Sequence, residues 1–207
     1  MEKNKITLKN ANSLDLDDIV KVESEIWPEG TRASRDKFVS RLNIFPEGFF
    51  LAYAGKKLIG VSTSERINYN PENLPISWER ATDNGYIKNT HNPNGNALYI
   101  VSIGAKSRSG GGSALIQAQK ELTRRLGLKF LILGARIPGY DKYYKDIKQV
   151  EIEEYANMVG KNNEPLDPEL RFYTRNGLRI LKIVPNYMED DKESRNYGVL
   201  MMWGARG

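Results

Sequence analysis

Hydrophobic and polar residues recur with two different periods along the first third of the chain, and these periods predict both strands and helices. KITLKNA (5–11) alternates apolar and polar side chains, which is typical of a strand. Apolar residues at helical spacing in 12–28 predict a helix with Ser13 as its cap, ending at Pro28. A second short helix is predicted at 34–42, with Ser34 as its cap. The segment 48–67 contains two strand-like runs around AGKK, which indicates a hairpin.

The middle of the chain predicts a strand, a helix and a second strand in direct succession. ALYIVSIGA (97–105) and KFLILGAR (129–136) are almost continuously apolar, as expected of strands buried on both faces. Between them, SALIQAQKELTRRLGL (113–128) has an apolar stripe at helical spacing and ends at Gly127. Two strands joined by a helix form a βαβ unit, and its strands are parallel.

The last third predicts one more helix, followed by two strands. DPELRFYTRNGL (167–178) begins with Asp167 as a cap and Pro168 at the first helical position, and Gly177 stops the helix. RILKIVPNY and YGVLMMWG are the strands. We find no repeat and no linker, so we predict one α/β (α+β) domain over residues 1–207.

Two long polar segments, 68–96 and 137–166, interrupt this regular pattern. Segments of that length are usually functional when they are ordered, and we expect both to border an acceptor site. The second should contain a helix within VEIEEYANMVG. Their aromatic residues either form a pocket wall or fix the segments to the core: Trp78, Tyr86, Tyr140 and Tyr143.

Composition excludes several kinds of chemistry. The chain has no cysteine and one histidine, His91, which argues against disulfides, a cysteine nucleophile and a zinc site. A net charge of +5 favours anionic partners, but the basic residues are spread along the chain, so nucleic acid is not the favoured partner. No apolar run has the length of a membrane helix and the amino terminus does not resemble a secretory signal, so we expect a cytoplasmic protein.

The glycine run in SRSGGGSALIQ (107–117) lies between a buried strand and a helix. A flexible turn is one interpretation. A nucleotide P-loop would need Lys-Ser/Thr after the last glycine, and a dinucleotide fingerprint would need G-x-G-x-x-G; neither is present. The third interpretation is a pyrophosphate cradle, in which the free N–H groups and the dipole of a helix amino terminus hold the phosphate oxygens.

Two stretches resemble the GNAT superfamily of N-acetyltransferases. SIGAKSRSGGGSALIQAQKEL is similar to the acyl-CoA loop of that family, with Ser107 at a position where the family has Arg or Gln. RFYTRNGLRI resembles the later helix with a tyrosine. HNPNGNALY, ARIPGYDKY and IVPNYMEDDKESRNYGVL suggest the GNAT domain that precedes a carbon-nitrogen hydrolase domain in some bacterial proteins. The resemblance implies a mixed central sheet flanked by helices, with the βαβ unit binding the acyl-CoA.

The resemblance also implies a reaction and its residues. A small primary amine would attack acetyl-CoA directly, with no metal and no covalent enzyme intermediate. Tyr173 matches the tyrosine that protonates the departing thiolate. The general base is open between Glu65, His91 and a chain of waters. Coenzyme A would be held by Ser102, Ile103, Gly104, Arg108, Ser109, Gly110, Gly111, Gly112 and Ser113.

Three functions remain open on the sequence. The first is acetyl transfer to a small amine. The second is a CoA-binding sensor or scaffold without catalysis, and the third is acetyl transfer to a protein or RNA. A homodimer is a further possibility, because the late strands are candidates for an exposed sheet edge.

Overall fold

The computed structural model of the chain describes residues 5–205 and contains one mixed sheet of seven strands. The strands are β1 Ile6–Asn10, β2 Phe50–Ala54, β3 Lys57–Ile67, β4 Ala97–Ala105, β5 Phe130–Ala135, β6 Arg179–Val184 and β7 Gly198–Gly204. They lie in the order β1-β2-β3-β4-β5-β7-β6. Neighbours are antiparallel except β4 and β5, which are parallel. The predicted fold class is confirmed.

Seven α-helices accompany the sheet in the described part of the chain. They are α1 Leu16–Ile26, α2 Arg35–Ile44, α3 Trp78–Thr82, α4 Gly111–Arg125, α5 Tyr140–Asp146, α6 Ile152–Ala156 and α7 Pro168–Arg175. The prediction for the first cap was wrong: Asn12, not Ser13, caps a short 3-10 turn that leads into α1. The predicted βαβ unit is confirmed as β4, α4 and β5.

The apolar side chains of the β2–β3 hairpin pack into two clusters, one on each face of the sheet. Leu51 and Val61 point to the face covered by α1 and α2, where they join a cluster with Phe38. Ala52 and Ile59 point to the opposite face and pack with Leu115 of α4. Successive residues of a strand point to opposite faces, and a bulge in the pairing of β2 with β3 turns Ile59 away from the face of Val61. A single hairpin therefore anchors helices on both sides of the sheet.

The parallel pair β4 and β5 separates part-way along its length. Pairing runs from Ala97 opposite Phe130 to Ile100 opposite Leu133 and then stops. On the other side of β4, the register with β3 shifts so that Val101 is an extra residue. An extra residue of this kind bends its strand and increases its twist. Beyond Ile100, the edge of β4 that faces β5 is therefore free of sheet pairing.

Two side chains from outside the sheet hold the bulge in place. The indole N–H of Trp78 donates to the Val101 carbonyl over 2.8 Å. The Nη1 group of Arg41 donates to the Ser102 hydroxyl over 3.0 Å. Trp78 belongs to the segment 68–96, so this long segment is fixed to the core at the point where the sheet opens.

The start of α7 is fixed by a buried aspartate. The Asp167 side chain is 1% exposed and its Oδ1 accepts from the Glu169 and Leu170 amides at 2.9 and 3.1 Å. Its Oδ2 accepts from the Gly139 amide at 2.9 Å, which ties α7 to the turn before α5. The predicted cap is confirmed, and it also joins two segments that are far apart in sequence.

We expect Asp167→Ala to lower the free energy of unfolding by about 1–2 kcal/mol, because it removes the cap of α7. Asp167→Asn keeps one oxygen acceptor and should cost less. The control is Asp17→Ala, whose side chain is 87% exposed and should change stability little. Urea unfolding measures all three variants. Equal stability of Asp167→Ala and the unmodified protein would contradict this role for the cap.

Candidate active site

An open cleft of about 490 Å³ lies where β4 and β5 separate. We call it the outer cleft. Its walls are the free edge of β4, the glycine loop that follows β4, one face of α7 and the end of α1. The residues that line it include Trp27, Ile103, Gly104, Arg136, Glu169 and Tyr173.

The glycine loop presents unpaired main-chain amides to this cleft. Within residues 5–205, the amides of Ser107, Arg108, Gly110, Gly112 and Ser113 have no hydrogen-bond acceptor, whereas that of Gly111 donates to the Ser109 hydroxyl at 3.1 Å. Several N–H groups pointing the same way at the start of a helix of 15 residues form an anion site. The loop therefore has the donors that a cradle for phosphate oxygens requires.

Two of the glycines are required by the local structure, each for a different reason. Gly110 has a φ of +79°, a left-handed conformation that turns the chain into α4. At Gly112, an added Cβ would lie 3.0 Å from the ring of Phe172, so the loop packs closely against α7. The glycines thus set the shape of the loop, and the amides are free as a consequence of that shape.

Most of the residues predicted to hold a cofactor do border this region. Ile103, Gly104, Arg108, Gly110, Gly112 and Ser113 line the outer cleft. Ser102 lines a second space, described next, while Ser109 and Gly111 line neither. Ser109 acts within the loop, because its hydroxyl accepts the Gly111 amide.

A smaller space of about 60 Å³ continues from the outer cleft into the molecule between β4 and β5. We call it the inner cavity. It shares five lining residues with the outer cleft: Trp27, Ile103, Arg136, Glu169 and Tyr173. Its remaining polar lining includes Glu23, Thr31, Arg41 and Ser102.

Tyr173 stands at the junction of the two spaces. The residue is 7% exposed, and its hydroxyl makes no hydrogen bond to any residue the structure describes. Burial and the nearby Glu169 carboxyl raise the pKa of Tyr173 well above its ordinary value. The hydroxyl is therefore protonated at neutral pH, as a proton donor must be.

Glu169 lies one helical turn before Tyr173 and faces the same spaces. The two positions are i and i+4, so both side chains project from one face of α7. Burial raises the pKa of Glu169 to about 7, while the positive charge of Arg136 opposes that shift. Asp167, Asp191 and Glu193 reinforce it through their negative charge. A carboxyl with this pKa is suited to accept a proton near neutral pH.

The position of Glu65 does not support its prediction as the general base. Glu65 is fully buried on β3, and its Oε2 accepts from the Thr90 hydroxyl over 2.7 Å. It lines neither the outer cleft nor the inner cavity. Burial does raise its pKa to about 8, but a carboxyl sealed inside the sheet has no path to a proton on a bound acceptor.

His91, the other candidate, also lies elsewhere. Its Nδ1 accepts from the Arg66 amide at 3.2 Å and its ring stacks on Phe45 with centroids 4.8 Å apart. Burial lowers the pKa of His91. It lines neither space, and its contacts fix the segment 68–96 to the sheet.

Trp27 carries a donor that the sequence did not bring to notice. Its Nε1 is buried without a hydrogen-bond partner among the described residues, and it lies 2.6 Å from where a Cβ on Gly104 would stand. The guanidinium of Arg136 sits over the Trp27 ring at 5.9 Å and pairs with Asp191. An indole N–H left without an acceptor beside the free edge of β4 is available to a ligand carbonyl.

The described residues contain no cluster of three or more metal-ligating side chains. Between residues 5 and 205, no helix has both the length and the apolar character needed to cross a bilayer.

A curated relative shows which family this fold belongs to. The uncharacterized N-acetyltransferase YkwB of Bacillus subtilis is 37% identical over 205 residues, which cover 96% of this chain and 88% of YkwB. The chain belongs to the GNAT superfamily of N-acetyltransferases. No protein-family model matches it.

A second relative agrees with the predicted branch of the GNAT superfamily. The probable hydrolase YhcX of Bacillus subtilis is 35% identical over 202 residues. The match covers 96% of this chain and 38% of YhcX, so the chain spans well under half the length of that relative.

Solved structures share the same GNAT architecture at low sequence identity. The loading GNATL domain of CurA from Lyngbya majuscula has a TM-score of 0.85 at 20% identity and covers 98% of this chain and 99% of its own. The GNAT-like decarboxylase GphF, solved with isobutyryl-CoA, has a TM-score of 0.82 at 24% identity. The match covers 97% of this chain and 100% of GphF. YncA of Salmonella typhimurium, a putative acetyltransferase solved with acetyl-CoA, has a TM-score of 0.56 at 11% identity. The match covers 98% of this chain and 95% of YncA.

Proposed function

We propose that this chain transfers the acetyl group of acetyl-CoA to a primary amine by direct attack of the amine on the thioester. The observation that carries the proposal is the pairing of Glu169 and Tyr173 on one face of α7, next to a loop of unpaired amides. Membership of the GNAT superfamily and the acyl-CoA ligands of structurally similar proteins support it.

The residues present suit coenzyme A as the acyl carrier. The amides between Ser107 and Ser113 would receive the diphosphate, and Arg108, exposed at the rim with a φ of +56°, adds a positive charge there. The pantetheine would run along the unpaired edge of β4 beyond Ile100, hydrogen-bonded as an added strand. The unpartnered Trp27 N–H beside Gly104 is placed to donate to a carbonyl of this arm or of the thioester.

Three proton transfers complete the reaction. Glu169 takes a proton from the ammonium of the acceptor, and the neutral amine attacks the thioester carbonyl. The carbon–sulfur bond then breaks, and the Tyr173 hydroxyl gives its proton to the departing thiolate. The second proton that the acceptor nitrogen loses as the amide forms returns Tyr173 to its hydroxyl form. Both side chains line the outer cleft and the inner cavity, which supports their use at one reaction centre.

A CoA-binding sensor without catalysis is the alternative. It would need the amide loop alone and would have no use for a carboxyl whose pKa is held near 7 beside a protonated tyrosine. We favour catalysis for this reason. Tight binding of CoA without turnover on any amine of a broad panel would instead support the sensor.

We expect Tyr173→Phe to lower kcat about tenfold or more, because the leaving thiolate would lose its proton donor. The affinity for CoA should change little, since the variant keeps the ring and leaves the amide loop intact. Release of free thiol measures kcat, and calorimetry with CoA measures affinity. The matched control is Tyr143→Phe, which removes a hydroxyl from a tyrosine outside both spaces. An unchanged kcat in Tyr173→Phe would exclude the proposed acid.

We expect kcat/KM to fall below about pH 7 as Glu169 becomes protonated, since a protonated carboxyl cannot act as a base. Glu169→Gln should abolish this acid limb together with most of the rate. Glu65→Gln tests the residue predicted from the sequence and should preserve the limb. If Glu65→Gln removes the limb and Glu169→Gln retains it, the assignment of the base is reversed.

A further inference from the structure

Arg41 is a buried cation without a carboxylate partner. The residue is 1% exposed, and across the described residues no acidic group lies within ion-pair distance of its guanidinium. Arginine is rarely buried so completely unless an anion pairs with it. A buried guanidinium without a paired anion indicates a site for a negatively charged group of a ligand.

The hydrogen bonds of Arg41 are all to neutral groups. Nε donates to the Gly85 carbonyl at 2.7 Å, and Nη1 donates to the hydroxyls of Thr63 and Ser102 at 3.1 and 3.0 Å. Nη2 is buried with no hydrogen-bond partner in residues 5–205. It stands beside the Trp78 ring, and a Cβ on Gly85 would fall 2.6 Å from it. One side of the guanidinium fork is therefore unused.

The nearest carboxyls do not neutralise this charge fully. Glu23 and Glu65 act on Arg41 through longer-range attraction. Burial raises the pKa of both, that of Glu65 to about 8, so Glu65 is disfavoured as an anion at neutral pH. One oxygen of Glu23 is already engaged, because it accepts from the Ala33 amide at 3.0 Å. Arg41 stays protonated at neutral pH, although burial lowers its pKa to about 10.

Arg41 lines the inner cavity, together with Trp78, Thr31 and Met188. The volume of about 60 Å³ leaves room for a group of a few heavy atoms. The two N–H groups of Nη2 can donate to a carboxylate oxygen, because those of Nε and Nη1 are already engaged. The cavity opens to the outer cleft at Tyr173, so a group bound at Arg41 would belong to the same substrate that reaches the proposed catalytic pair.

We propose that the inner cavity is a carboxylate subsite, in which Arg41 holds a carboxylate carried by the substrate. This inference rests on the proposed function, because it takes the inner cavity as the extension of the acyl-transfer site. The carboxylate has two sources: the far end of the acyl chain of a carboxyacyl-CoA, or the carboxylate of an amino acid that serves as the acceptor amine.

The wild-type protein tests the acyl source by calorimetry. The ligands are CoA, acetyl-CoA, malonyl-CoA and succinyl-CoA. If the carboxylate belongs to the acyl chain, a carboxyacyl-CoA should bind about tenfold more tightly than acetyl-CoA, as expected for a charge-assisted hydrogen bond in a buried site.

The acceptor source is tested by calorimetry with the protein saturated by CoA. Glycine, alanine, β-alanine and γ-aminobutyrate are compared with their carboxamides, which keep size and amine but lack the negative charge. If the carboxylate belongs to the acceptor, at least one amino acid should bind about tenfold more tightly than its amide.

Arg41→Met should abolish the preference found in either test, because it should lower the affinity for the carboxylate ligand about tenfold more than the affinity for its neutral counterpart. Arg35→Met on the same helix is the control, because Arg35 is exposed and, among the described residues, pairs only with Asp17. Equal losses for charged and neutral ligands in Arg41→Met would leave Arg41 a purely structural role and overturn the proposal. If that variant does not fold, the wild-type comparison decides alone.

The two possible failures are distinguishable. Absence of any carboxylate preference in both tests, with CoA bound normally, overturns the carboxylate subsite alone. Absence of CoA binding overturns the proposed function, and this inference with it.

Discussion

The separation of β4 from β5 after four residue pairs is the constraint on which the rest of the molecule depends. A parallel pair that stayed together would satisfy its own main-chain groups and leave no opening. Here the extra residue Val101 bends β4 away, and side chains from α2 and α3 hold the bend through hydrogen bonds. The result is a strand edge inside the protein that has no sheet partner, at the place where the amide loop begins.

The proposed chemistry rests on the groups that border this opening. The glycine loop supplies main-chain donors at the start of α4, and α7 supplies a carboxyl and a hydroxyl one turn apart. Asp167 caps α7 and binds the Gly139 amide, so the helix that carries both groups is fixed at its first turn. Burial raises the pKa of both groups. The pKa of Glu169 rises to about 7, and Tyr173 stays protonated at neutral pH.

Local signals in the sequence predicted the parts that depend on local structure. The strands, the βαβ unit, the glycine loop and the caps at Ser34 and Asp167 were predicted correctly, because each depends on periodicity or on neighbouring residues. Glu169, the proposed base, was not predicted, although its spacing from Tyr173 was visible in the sequence. Its pKa depends on burial by elements distant in sequence, as does the isolation of Arg41. Glu65 was chosen as a candidate base because the sequence puts it near the end of a strand. The sequence could not show that its side chain is fully buried.

The central claim is that the opening between β4 and β5 is the acyl-CoA site, and a crystal structure with bound CoA tests it most directly. The account predicts the diphosphate on the amides of Ser107 to Ser113, the pantetheine along β4 beyond Ile100, and the sulfur within hydrogen-bonding reach of the Tyr173 hydroxyl. Coenzyme A seated at any other surface, with this opening left to solvent, would contradict it.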